Sequence, residues 1–288
     1  MEINGYTRMA AVLATPIKHS LSPFIHNRAF ELTNENAVYL AWDLGDENKL
    51  GQTINNVRTL DMFGLNISMP YKQKAVAFID ELSEEAQLIG AINTIVNKNG
   101  KLLGYNTDGQ GFFNALNFKP HHKKITLIGG GGAAISIIVQ AALLEMSEIT
   151  IFARQSPSYA RLEQRLKKLS HQTKARIKLY DLADISRLQK EITASDLLVN
   201  ATPVGMSGEA MPLPSSILLP SGILVVDTIY KVRETPLMKW AKKQGITTMN
   251  GVGMLIHQAA ASFELWTGKK MPIEQISQEL EGKDEVKC

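Results

Sequence analysis

Apolar and polar positions follow two regimes along the chain. Over the first hundred residues, short apolar runs alternate with stretches at helical spacing. "AAVLA" (10–14), "AVYLAWDL" (37–44) and "MFGLNI" (62–67) read as strands. "AINTIVN" (91–97) and "KLLGYN" (101–106) flank Asn99-Gly100, a dipeptide that accepts the positive φ angles of a two-residue hairpin turn. Between the strands, "SPFIHNRAFELT" and "QKAVAFIDEL" have the spacing of amphipathic helices. The first of these starts with Ser22 as N-cap and Pro23 at the first helical position.

From about residue 122 the pattern becomes regular. "KKITLIGGGG" is a strand running into glycines, "AAISIIVQAALLE" a helix and "EITIFAR" a second strand. A helix is expected near 157–170. "RIKLYDL", "SDLLVNAT" and "ILVVDTIY" are further strands, and "TPLMKWAKKQG" is a helix stopping at Gly245. Such alternation predicts a parallel sheet covered by helices, a Rossmann-like domain. Beyond "TTMNG", Leu255, Ile256, Ala259, Ala260, Phe263 and Trp266 share one helical face. A last helix near 273–281 and a fraying polar tail, "EGKDEVKC", complete the chain. The expected fold class is α/β with two domains: an N-terminal α/β domain and a Rossmann-like domain with a parallel sheet. The 288 residues suit two domains of ~150 each. Gly109, Gly111, Pro120 and the His121-His122 pair mark the change between them, near 107–122.

Composition narrows the function classes. A hydrophobic content of 44% with 20% charged residues is ordinary for a globular protein. The net charge of +3 comes without a basic block, which argues against a nucleic-acid partner. Four consecutive glycines and Gln140 interrupt the longest apolar stretch, 125–146, so a strand, turn and buried helix explain it better than a membrane span. "MAAVLA" is a poor signal peptide and reads as a first buried strand. The one cysteine, Cys288, permits no intrachain disulfide and suits a reducing cytosol, so a cytoplasmic location is expected. No metal-ligand cluster is apparent, because the six histidines are dispersed apart from 121–122, read as linker residues.

Two groups of residues carry candidate chemistry. Gly129, Gly131 and Ala134 fit G-x-G-x-x-A between a predicted strand and a predicted helix, where glycines let the backbone approach a pyrophosphate at the positive helix end. An NAD site favours an acid at the end of the next strand. Here "IFARQSPSYAR" has no acid before Glu163, and Arg154 occupies the region, where a guanidinium pairs with a 2′-phosphate. NADP is the favoured cofactor; a solvent-facing Arg154 beside an NAD site is the competing reading. The first domain carries Ser20 and Ser22, then Asn66, Ser68 and Lys72, then Asn93 and Thr94, then Asn106, Thr107 and Asp108. Most follow apolar runs and so fall near strand ends, which suits a small polyhydroxylated substrate. Blander roles stay open: Ser22 as a cap, Asn93 as a turn former, Asp108 as a helix start.

The segments "PIKHSLSPFIHN", "NISMPYK", "GAINTI", "GYNTDG", "GGGGAA", "NATPVGM", "DTIYKVRETPL" and "NGVGMLIHQAAASFELWTG" together resemble the shikimate dehydrogenase family, including its quinate/shikimate branch, nearly end to end. The resemblance implies a substrate-binding catalytic domain over 1–107 completed by C-terminal helices within 252–288, a Rossmann domain over 108–251, and an active site in the cleft between them. It implies Lys72 and Asp108 as the catalytic pair and Ser20, Ser22, Ser68, Asn93, Tyr230 and Gln258 as substrate contacts. Gly129, Gly130, Gly131, Gly132, Ala133, Ala153 and Arg154 become the cofactor site, with Thr228 and Gly251 near the nicotinamide.

The implied activity is reversible NADP(H)-dependent reduction of 3-dehydroshikimate to shikimate in aromatic amino-acid biosynthesis, by a monomer or homodimer whose partner is a small-molecule substrate. Two departures bear on it. Ser68 stands where the biosynthetic enzymes have threonine, as in the quinate/shikimate branch, and Ala153-Arg154-Gln155 replaces Asn-Arg-Thr. The alternatives are a quinate/shikimate dehydrogenase using NAD or NADP, and a non-catalytic sensor of nucleotide or substrate on the same fold.

Overall fold

A computed structural model describes residues 2–282. The first apolar run becomes strand β1 (Arg8–Ala14), followed by helix α1 (Ser22–Leu32), β2 (Ala37–Asp43), α2 (Leu50–Thr59), β3 (Gly64–Ile67), β4 (Glu81–Leu82), α3 (Glu84–Ile89), β5 (Thr94–Lys98), β6 (Lys101–Tyr105) and α4 (Asp108–Asn114). The sheet order is β2-β1-β3-β5-β6-β4. Strand β1 runs parallel to both neighbours, while β3–β5 and β5–β6 are antiparallel. The β5–β6 hairpin turns at Asn99 and Gly100, with φ of 52° and 86°, as the dipeptide predicted.

Alternation along the strands sorts their side chains to two faces. Ala11, Leu13, Leu65, Ile67, Ile95 and Leu102 form one core with Leu50, Ile54 and Val57 of α2. The other face carries Tyr39 opposite Ala10, Asn66 opposite Val12, and Thr94 opposite Asn66.

Two local expectations change. The stretch 73–82 is not a helix. A 3-10 turn over Lys74–Phe78 ends in extended backbone at Ile79. The Asp80 carboxylate then accepts the Leu102 amide at 2.7 Å and pairs with Arg58, drawing the chain alongside β6 as β4. Ser22 is not the cap of α1: Leu21 holds that position without a side-chain cap, and the Ser22 hydroxyl bonds the Tyr39 phenol instead. Helices α2 and α3 had no strong pattern, since α2 buries only Leu50, Ile54 and Val57 among polar residues.

The regular half folds as β7 (Lys124–Ile128), α5 (Gly132–Leu143), β8 (Glu148–Ala153), α6 (Tyr159–Thr173), β9 (Ile177–Asp181), α7 (Ile185–Thr193), β10 (Leu197–Asn200), β11 (Leu224–Asp227), α8 (Pro236–Lys243) and β12 (Thr247–Met249). Its sheet order is β12-β11-β10-β7-β8-β9 with every pairing parallel, which is the doubly wound dinucleotide-binding topology. The periodicity did not announce α7 or the three-residue β12.

The chain then forms α9 (Val252–Thr267) and α10 (Ile273–Glu281). The ring of Phe263 lies 5.4 Å from that of Phe30, the Trp266 indole donates to the Ile95 carbonyl at 2.9 Å, and Arg28 forks onto Glu279. One compact unit comprises the chain up to Gly111 together with that from Ile256; the other is Phe112–Leu255. Both divides fall inside helices, α4 and α9. No helix among the described residues is long and apolar enough to cross a membrane. Cys288 and most of the polar tail lie outside the described residues.

Candidate active site

In the first unit, Lys72 is held by the segment that leaves β3. The Ser68 amide donates to the Leu13 carbonyl at 2.9 Å, and the Tyr71 amide returns to the Ser68 carbonyl at 2.9 Å. Tyr71 is buried and its hydroxyl reaches Thr15 at 3.0 Å. The Lys72 carbonyl then accepts the Ile92 amide at 2.9 Å. A lysine backbone fixed at both ends leaves only the side chain to move.

Asp108 arrives from another direction, at the first position of α4 just after β6. Its Oδ2 accepts from Lys72 Nζ at 2.6 Å, with the two side chains 25% and 12% exposed. Its Oδ1 accepts from Asn93 Nδ2 at 2.8 Å. Asn93 also donates to Thr107 Oγ1 at 2.9 Å and lies within 3.4 Å of Gln258 Oε1. Gly111 lets α4 approach α9 here, since a Cβ on it would sit 2.5 Å from the Gln258 amide nitrogen. Lys72, Asn93, Asp108 and Gln258, separated in sequence by up to 186 positions, thus form one cluster. Thr107 joins them; the "GYNTDG" motif contained it, but nothing in the sequence distinguished it from its neighbours.

The remaining first-unit residues are near their own strands. Ser20 Oγ accepts the Ser22 amide at 3.2 Å, Ser22 is buried against Tyr39, and Ser68 is half-buried ahead of Pro70.

The second unit carries the glycine loop and its surroundings. Gly129, with φ of 110°, donates its amide to the Phe152 carbonyl at 2.8 Å, and a Cβ there would lie 2.7 Å from Thr202. A Cβ on Gly130 would come within 2.3 Å of a terminal methyl of Leu162 in α6, so a larger residue here would require that side chain to move. Around Gly131 and Gly132 a Cβ would meet nothing, which leaves the start of α5 and Ala133 open to a ligand. At the end of β8, Ala153 is buried and Arg154 is exposed. Arg154 and Gln155 line a cavity of about 590 Å³ together with Asp181, Leu182 and Met211.

Gly251 stands close to Thr228. Its amide bonds the Ile229 carbonyl at 2.9 Å, and a Cβ would lie 2.1 Å from the Thr228 carbonyl oxygen. Asp227 organises this segment and was missed in the sequence. It is fully buried, accepting from Thr235 at 2.8 Å, Asn200 at 3.1 Å and the Ile229 amide at 3.1 Å. Burial pushes its carboxyl above the usual range, against those three donors. Tyr230, half-buried, follows three residues later.

These features sit in a chain that known proteins resemble over nearly its whole length. The model for the shikimate dehydrogenase substrate binding domain matches residues 12–95, and that for the shikimate 5'-dehydrogenase C-terminal domain matches 251–281. Shikimate dehydrogenase (NADP(+)) of Lactococcus lactis subsp. cremoris is 60% identical over 284 residues, covering 98% of this chain and 99% of the relative. The chain belongs to the shikimate dehydrogenase family. Two solved structures of shikimate 5-dehydrogenases share its fold. That from Listeria monocytogenes, in complex with shikimate and NAD, has a TM-score of 0.93 at 40% identity and covers 97% of this chain and 98% of its own. That from Thermus thermophilus, in complex with NADP(H) and shikimate, has a TM-score of 0.80 at 32% identity and covers 94% and 98%.

The residues present fit the dinucleotide that this family uses. The glycine loop at the head of α5 has open space at Gly131 and Gly132, as a pyrophosphate would need, and the only charged side chain in the first positions after β8 is a cation. Among the described residues no acid or hydrogen-bond acceptor engages the Arg154 guanidinium, so its charge is available to a phosphate.

Proposed function

We propose that the protein is a shikimate dehydrogenase, interconverting 3-dehydroshikimate and shikimate with NADP(H). The observation that carries this reading is the Lys72–Asp108 pair at 2.6 Å, braced by Asn93, in a chain of this family. The bound dinucleotide supplies or takes up the hydride at the ring carbon.

The chain's own residues handle the proton and the ring. In the reductive direction the carbonyl oxygen gains negative charge and needs a proton, which the Lys72 ammonium delivers; in the oxidative direction neutral Lys72 removes it. Asp108 directs the ammonium and accepts from a neighbouring ring hydroxyl. Gln258 offers a donor and an acceptor, matching hydroxyls that do both, while Asn93 lies beside the ring and braces Asp108. Ser20 supplies a neutral donor for the substrate carboxylate, with Ser22 beside it. Gly129–Ala133 hold the pyrophosphate, Arg154 the 2′-phosphate, and the Thr228–Gly251 contact shapes the backbone offered to the nicotinamide.

Ser68 supports a second substrate. It has one methyl group less than threonine, which leaves room for the extra tertiary hydroxyl of quinate. Steady-state rates with shikimate and quinate, each with NADP and NAD, test both readings. The highest kcat/KM is expected for shikimate with NADP. A preference for quinate with NAD would assign the chain to the quinate branch instead, and no nucleotide reduction with either acid would indicate a sensor.

A further inference from the structure

Behind the catalytic cluster, the face of the first sheet that meets α9 carries a strip of polar side chains where apolar ones would suffice for stability. Tyr39, Asn66, Thr94 and Ser262 are 1%, 7%, 0% and 0% exposed. Asn66 and Thr94 are directly opposite on β3 and β5. Tyr39 is stacked on the buried His26 ring, with centroids 4.3 Å apart.

We propose that Thr94 is a positioning residue for proton transfer, holding the Asn93 amide with its NH₂ toward Asp108 as the last link of a one-way hydrogen-bond chain from Tyr39. This rests on the roles assigned above to Lys72 and Asp108.

Counting donors orients the links from Tyr39 to Asn66 and from Ser262 to the main chain. The Tyr39 hydroxyl donates to Asn66 Oδ1 at 2.7 Å, which turns Asn66 Nδ2 toward Ser262 Oγ at 3.0 Å, Thr94 Oγ1 at 3.1 Å and the Asn93 carbonyl at 3.1 Å. Ser262 has a main-chain acceptor for its own proton, the Gln258 carbonyl at 3.1 Å. Thr94 Oγ1 has two oxygens within reach for its proton, Ser262 Oγ at 2.7 Å and Asn93 Oδ1 at 2.9 Å, and the chain is complete in the arrangement that donates to Asn93, whose Oδ1 also takes the Thr107 amide at 2.9 Å. With two donors on its oxygen, the Asn93 amide has one orientation, and Nδ2 faces Asp108. A reversed amide would set a carbonyl oxygen against the carboxylate and remove the brace opposite Lys72. Burial of every link prevents water from replacing a lost hydroxyl.

The test compares Thr94→Val, which keeps the shape and removes the hydroxyl, with Thr94→Ser, which keeps the hydroxyl. In Thr94→Val, kcat/KM for shikimate should fall roughly 5- to 100-fold, with a raised KM for shikimate, while NADP affinity is unchanged. Thr94→Ser should restore most of the loss. Thr94→Val with wild-type kinetics would overturn the proposal, as would equal impairment of Thr94→Val and Thr94→Ser. Should Thr94→Val not fold, Tyr39→Phe removes the first donor and leaves the stacked ring in place. A smaller fall in the same direction supports the chain; unchanged kcat/KM refutes it. Lys72→Ala, run alongside, separates the two levels. Near-wild-type turnover in Lys72→Ala defeats the underlying reading, whereas an inactive Lys72→Ala beside a wild-type-like Thr94→Val defeats this inference alone.

Discussion

At the scale of single residues, the site is a matter of which atoms are already engaged. Asp108 spends one oxygen on Lys72 and one on Asn93, so its orientation is set before substrate arrives. Arg154 is the opposite case, a cation at the end of β8 with no partner among the described residues, beside a cavity. Pairing with a 2′-phosphate gives it a role that NAD cannot satisfy. Arg154→Ala should therefore raise the KM for NADP by about 10-fold or more, the scale of a lost charge-assisted hydrogen bond, and leave that for NAD nearly unchanged. Equal changes for both nucleotides would show that Arg154 does not read the phosphate. Ser68→Thr should lower kcat/KM for quinate more than for shikimate, by a few-fold as one methyl group allows; a uniform change would remove Ser68 from substrate selection.

At the scale of elements, close backbone approaches decide where side chains are forbidden. Gly251 meets the Thr228 carbonyl at a distance no Cβ tolerates. Gly251→Ala must push the start of α9 away from the end of β11, at a cost of about 1–3 kcal/mol or more. A lowered melting temperature together with weaker NADP binding is expected in a fluorescence titration, and wild-type values for both would contradict the contact. Apart from the short β4 and β12, the strands of both sheets, the hairpin at Asn99-Gly100 and the glycine loop were legible, because each has a run of apolar positions or an explicit turn residue. The stretch 73–82 misled because its apolar spacing is helical, while its conformation is settled by Asp80 bonding the distant Leu102 amide. Ser22 misled similarly: a hydroxyl before proline signals a cap, yet a buried phenol from β2 claims it. Asp227 was illegible, and Thr94, though among the candidate polar residues, gave no sign of its place in the buried strip, since a polar residue at a strand end or in a core strip acquires its role only from partners across the sheet.

At the scale of the whole molecule, one buried group ties stability to pH. His26 is fully buried with no hydrogen-bond partner on either ring nitrogen among the described residues, and desolvation lowers its pKa to about 3 from 6.5. The unfolded chain therefore takes up this proton first as pH falls. The stabilisation is complete above pH 6.5 and is lost progressively toward pH 3, at about 1.4 kcal/mol per pH unit within that window. Denaturant unfolding of His26→Phe at pH 7 and pH 5 should show a smaller loss on acidification than the native sequence; parallel losses would mean that His26 is not the titrating group.

The fold brings a lysine, a carboxylate and amide side chains together in one unit and places an open glycine loop at the head of a helix in the other. The central claim is that this chain oxidises shikimate with NADP and that Lys72 moves the proton. Initial rates of NADP reduction by shikimate, for the native protein and Lys72→Ala under identical conditions, test it most directly. The account predicts rapid nucleotide reduction by the native protein and a fall on the order of 10²–10⁴-fold in Lys72→Ala with NADP still bound. No reduction by the native protein, or a Lys72→Ala rate near that of the native protein, would contradict it.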